Sequence, residues 1–348
     1  MSSLIDWSVA EQTARALSPT PPSASPADAA AVVAELHRAT ERAAALVADL
    51  TRLNEPAVSA TTVVVDRPGW VSANVASMRV VMEPVVDRLT EKKPPGRIAS
   101  AIGGRTTGAQ AGAILAFLSG KVLGQFEFFS TETGQLLLVA PNIVSVEQSL
   151  KVDPTDFRLW VCLHEVTHRV QFTAVPWMRQ HMLDEIAQLT DALDVDPDAI
   201  LERLRHALGE LARTAQGKRD TAGIMAALAS PQAREIMDRL TGFMSLVEGH
   251  AEYVMNAVDR SVIPSQPQIE RKFADRRRKG GNPFDRLVRS LLGMDAKTRQ
   301  YTQGSNFVRT VVDEAGLDAF NAVWSSPSTL PTKAEITDPK AWITRVHG

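Results

Sequence analysis

Residues 164–168 read His164-Glu165-Val166-Thr167-His168. On an α-helix the two imidazoles, four residues apart, stand one above the other on the same face, with the Glu165 carboxylate beside them. This is the spacing of a zinc site with its own general base, because two neutral imidazoles share one cation while the neighbouring carboxylate stays free to take a proton. With 7 His in 348 residues the pentapeptide rarely arises by chance, and it requires a third ligand from elsewhere in the chain.

The flanks supply the helix. Asp153-Pro154-Thr155-Asp156 places a capping carboxylate before a proline at the first helical position, and Pro176 marks the approximate end. Trp160, His164 and His168 then share one face, where two imidazoles without a metal would be buried polar rings in need of partners. Upstream, residues 125–129 and 135–140 are β-rich runs separated by a turn ending in Gly134, which predicts a hairpin. An extended peptide binds by adding a strand to a sheet edge, and either run could be that edge.

Downstream, residues 242–258 predict a helix containing Glu248-Gly249-His250-Ala251-Glu252-Tyr253. Glu248 and Glu252 share one helical face, and like charges so placed repel unless a cation lies beside them. In the simplest arrangement Glu248 is the third ligand, and Glu252, one turn on, accepts the free ring N–H of a ligand histidine. His250 points about 200° away from Glu248 and is the weaker ligand candidate.

Together these segments resemble the glutamate-zincin metallopeptidases, in which the Glu of an E-G-x-A-x-Y helix is the third ligand. Residues 301–308, Tyr301-Thr302-Gln303-Gly304-Ser305-Asn306-Phe307-Val308, resemble the Y-x-Q-G-x-x-F-V segment that follows it. Val122-Leu123-Gly124-Gln125, Pro141-Asn142-Ile143 and Ser328-Thr329-Leu330-Pro331-Thr332 further resemble an actinobacterial family of zincin-like metallopeptidases, some labelled as associated with deazaflavin-coenzyme biosynthesis. The resemblance runs from about residue 60 to the end. It implies one Zn2+ held by His164, His168 and Glu248, a peptide or protein substrate, and hydrolysis by zinc-activated water with Glu165 as general base. Tyr253 and Tyr301 are the only two tyrosines. Either could hydrogen-bond the oxyanion, Tyr301 being preferred; Arg169 could bind a substrate carboxylate. The alternative is a zinc-bound, non-proteolytic binding or scaffold protein, which would have no need of Glu165.

Bulk properties are consistent with this. A formal charge of −2 gives no global field for nucleic acid or an anionic membrane, and Arg276-Arg277-Arg278-Lys279 reads as a solvated run. One cysteine, Cys162, cannot form an intrachain disulfide. No apolar segment reaches the roughly 18 residues of a membrane span and no signal peptide is visible, so the expectation is a cytoplasmic protein, with the oligomeric state left open. The glycines from Gly103 to Gly124 lack the Lys-Ser/Thr ending of a phosphate loop and read as close helix packing. The expected fold is α+β, mainly α-helical: a zincin-like metallopeptidase fold with a small sheet over the His-Glu helix. Its parts are residues 1–27, an N-terminal segment and linker; 28–180, with the hairpin and the His-Glu helix; and 181–348, with the third-ligand helix, packed on the first as one catalytic unit. Within the last part, 181–240 is expected to be a helical insertion walling the cleft.

Overall fold

Leu136-Leu137-Leu138-Val139 is a continuous apolar run, and such a strand is stable only with both faces covered. The computed structural model describes residues 4–56, 60–92, 97–192, 231–279 and 294–348, with side chains described except at 88–92, 97–102, 277–279 and 294–301. In it the run is the middle of a three-stranded sheet. β1 (Thr61–Val65) pairs in parallel with β3 (Gln135–Val139), and β2 (Gly124–Glu127) pairs antiparallel on the other side, in the order β1-β3-β2. The hairpin is thus present, its turn closed by Gly134 at φ +75°. β2 is an edge strand and β3 is not. β1 is absent from the sequence expectations.

Side chains of β3 alternate between two cores. Leu136 and Leu138 face a core shared with Leu36 of α2 (Pro26–Thr51), Ile143 of α5 (Ala140–Leu150) and Leu163 and Val166 of α6 (Pro154–Ala174). Leu137 and Val139 face the opposite way, onto Trp7 of α1 (Trp7–Leu17), Trp70 and Val71 of α3 (Arg67–Lys92) and Leu115 of α4 (Arg97–Ser119). Within the first 27 residues, therefore, Trp7–Leu17 is helical and packed into a core, while residues 19–25 form neither helix nor strand. α1 lies on α4 at Gly108 and Gly112, where a Cβ would fall 2.3 Å from Asp6 O and 2.4 Å from Ala10 O.

A further core joins α7 (Trp177–Ala192), α8 (Pro231–Ala257) and α10 (Met294–Ala315) to the C-terminal helices α11 (Leu317–Phe320), α12 (Lys333–Thr337) and α13 (Pro339–His347), through Phe243, Leu246, Phe307, Phe320 and Trp342. α9 (Gln266–Lys279) packs beside α6. The architecture is α+β and mainly helical, with α6 under the sheet and α8 crossing it. Among the described residues no helix is long and apolar enough to cross a membrane. Most of the expected 181–240 insertion (residues 193–230), and with it His206, lies outside the described residues.

Candidate metal centre

α6 begins where its sequence dictates: the Asp153 carboxylate accepts from Asp156 N at 2.9 Å, and Pro154 opens the first turn. The helix is buried almost all round, so its charged residues need partners. Arg158 binds Glu147 (Nη2–Oε1 2.6 Å) and Glu35. Arg169 grips Glu55 through two bonds of 2.8 and 3.1 Å and donates to Thr62. Arg169, which the sequence offers as a binder of a substrate carboxylate, has a side chain only 8% exposed and paired with Glu55.

α8 reaches the site by a close backbone approach. Gly249 lies against Gly304 of α10, where a Cβ would meet the Gly304 carbonyl carbon at 2.1 Å; a Cβ on Gly304 would meet Ser245 O at 1.9 Å. This contact explains why a glycine follows Glu248 and why the Tyr301-to-Val308 segment has one of its own. With both side chains absent, the two helices cross closely enough to present Glu248 to α6.

At the crossing, His164 Nε2 and His168 Nε2 are 3.2 Å apart, and Glu248 Oε2 lies 3.7 and 3.6 Å from them. A point equidistant from the three atoms is about 2 Å from each, the ordinary zinc–nitrogen and zinc–oxygen length. Two imidazoles and a carboxylate are also the donor set of hydrolytic zinc, so the residues present fit the ion. Burial alone would pull His168 below the usual imidazole range, but Glu248, then Glu165 and Gln171, outweigh it and leave His168 raised. The centre is a point of negative field.

Glu165 is 7% exposed and forms part of the same cleft wall. Its position depends on Gly124 of β2, because a Cβ there would fall 2.6 Å from Glu165 Cγ. Gln171, three residues beyond His168, is absent from the sequence expectations. Its amide accepts from His168 Nδ1 (3.0 Å) and donates to Val247 O (3.0 Å) and His250 Nδ1 (2.9 Å). The available signal was an amide at i+3 from a ligand, but its partners on α8 are 76 and 79 residues away. His250 stands outside the three converging atoms: it is buried against Phe320 and Trp324, and burial, with His168 nearby, pushes its imidazole down to about 3. Glu252 lines the cleft one turn beyond Glu248; Nδ1 of His168 is bonded to Gln171, so of the two histidines it is His164 whose ring N–H is left for Glu252. Tyr253 is half-buried between two cores, away from the cleft lining, and burial raises its phenol. The side chains of Tyr301 and of Arg277 to Lys279 lie outside those described.

The cleft over the centre holds about 850 Å³. Trp160, His164, His168 and Phe172 mark its floor along α6, a run of about 18 Å at 1.5 Å per residue. At the Phe172 end, Phe128 stacks on Phe172 with centroids 4.1 Å apart, Phe129 and Phe126 adjoin, and Met182 and Met244 complete it, while Trp160 and Phe273 meet edge-on at the other end. Among the described residues, the charged groups of the lining are Glu165, Glu248, Glu252 and Glu270, all acidic. On β2, Leu123 O accepts from Val139 N, so residues 123, 125 and 127 bond inward to β3. In an antiparallel pair the alternate residues, Gly124 and Phe126, then turn their N–H and C=O to the open edge.

A family model described as zincin-like metallopeptidase matches residues 5–343. Among solved structures, the chain is similar to a crystal structure from Chloroflexus aurantiacus described as a candidate hydrolase with a novel fold, at 31% identity and a TM-score of 0.72, covering 98% of each chain. No curated protein matches.

Proposed function

The chain belongs to the zincin-like metallopeptidase family, and from that premise we propose that it hydrolyses peptide bonds with one zinc ion held by His164, His168 and Glu248, and with Glu165 as general base. The observation that carries this reading is the convergence of those three ligand atoms in an open cleft that also contains the Glu165 carboxylate. Bound zinc supplies Lewis acidity, polarising a carbonyl and making water acidic near neutral pH.

The remaining work falls to the chain. Glu165 takes the proton of the attacking water and hands it to the amine nitrogen as the C–N bond breaks. A structural zinc site would have no use for that carboxylate. The outward N–H and C=O groups of Gly124 and Phe126 pair with an extended substrate, which sets its carbonyl beside Glu165. The aromatic end around Phe128 and Phe172 takes a bulky apolar side chain, and the acidic lining disfavours acidic ones.

The test is a peptide library incubated with zinc-loaded and with chelator-treated protein, products being read by mass spectrometry. Cleavage next to bulky apolar residues that disappears with the metal is the expected result. Stoichiometric zinc without any cleavage would instead establish a binding protein.

A further inference from the structure

An imidazole binds a metal through one nitrogen only if its proton sits on the other, and a free histidine side chain does not make that choice by itself. In this protein the choice is made three contacts away from the metal. Val247 O can only accept a hydrogen bond, so the group of Gln171 lying 3.0 Å from it must be the amide nitrogen. The amide oxygen therefore faces His168 Nδ1, 3.0 Å away. An amide oxygen also only accepts, so Nδ1 of His168 carries the ring proton. Its Nε2 keeps the lone pair, directed at His164 Nε2 and Glu248. The second amide hydrogen points to His250 Nδ1 at 2.9 Å, so the His250 ring is protonated on Nε2, inside the pocket of Phe320 and Trp324.

We infer that Gln171 is a positioning residue that selects the metal-binding tautomer of His168, its own orientation being set by the backbone of α8 at Val247. The device is directional: a helix carbonyl next to the third ligand fixes an amide, and the amide fixes a proton on the second ligand. His250 serves as the acceptor that occupies the remaining amide hydrogen. This deepens the zinc-peptidase reading and rests on it only in treating His168 as a ligand.

The first measurement needs neither metal nor activity. In zinc-free protein at alkaline pH, two-bond proton–nitrogen correlation of the imidazoles should find His168 as the Nδ1–H tautomer; finding Nε2–H overturns the inference. In Gln171→Met, of similar length but with no acceptor or donor of this kind, His168 should lose that tautomer, and zinc affinity by chelator competition should fall about 10–100-fold. Gln171→Glu keeps the acceptor toward His168 and gives up both donations to α8. It should keep the tautomer and lose less affinity than Gln171→Met. Equal weakening in the two variants would make Gln171 a brace between helices and overturn tautomer selection, as would wild-type affinity in Gln171→Met. Failure of the wild-type protein to bind zinc would instead count against the proposed function, leaving the tautomer measurement intact.

Discussion

α6 and α8 bring ligand atoms to one point, but α6 is tied down by charged side-chain pairs, whereas α8, besides its apolar packing, rests on a close backbone contact. α6 is capped by Asp153 and tied by Arg158 to Glu147 and by Arg169 to Glu55. α8 is set by the contact of Gly249 with Gly304, a place where a side chain would intrude. Two histidines four residues apart are already aligned by their own helix, so α6 needs only to be kept in place. Glu248 has no such local help, and its distance to the histidines is decided by how closely two other helices approach.

Substitutions on the two sides should therefore fail differently. The largest effect is chemical: Glu165→Gln should keep stoichiometric zinc by elemental analysis and lower peptide cleavage by about 10²–10⁴-fold. Next, Glu55→Ala strands the buried Arg169 guanidinium and should cost about 2–3 kcal/mol of stability by denaturant unfolding, with zinc affinity preserved in the folded fraction. Gly249→Ala acts on the other side. Its methyl would meet Gly304 backbone, so the helices must part, at about 1–3 kcal/mol and with weaker zinc binding, seen together in thermal melts and metal titration. The mildest is Gly124→Ala, whose methyl first meets the movable Glu165 side chain: kcat should fall about 10–100-fold while melting temperature and zinc content stay unchanged. If Gly249→Ala left zinc binding intact, the division between the two helices would be lost.

The same division explains what could be read from the sequence. The limits of α6, the facing histidines and the β2–β3 hairpin follow from neighbouring residues: Asp153-Pro154 at one end, Pro176 at the other, Gly134 in the turn. Glu248 was legible through its spacing from Glu252 and through motif resemblance, while the reason for its neighbouring glycine became visible only in the crossing with Gly304. β1 was not legible, because a five-residue strand gains its meaning from a parallel partner, Thr61 with Gln135, that no local pattern announces. Arg169 looked available beside His168 because Glu55, 114 residues earlier, cannot be assigned to it from the sequence. The role of Gln171 is illegible for the same reason, its orientation being set by Val247 O on another helix.

β3 sends Leu136 and Leu138 to the core beneath the metal ligands and Leu137 and Val139 to the core of the N-terminal helices. Neither half can therefore open without stripping one face of the same strand. Its amides should be among the slowest in the chain to exchange with deuterium, at the rate of global unfolding, and a deletion of residues 1–17 should speed their exchange although it removes nothing within reach of the zinc ligands. The floor of the active site and the far end of the molecule would then melt as one cooperative unit.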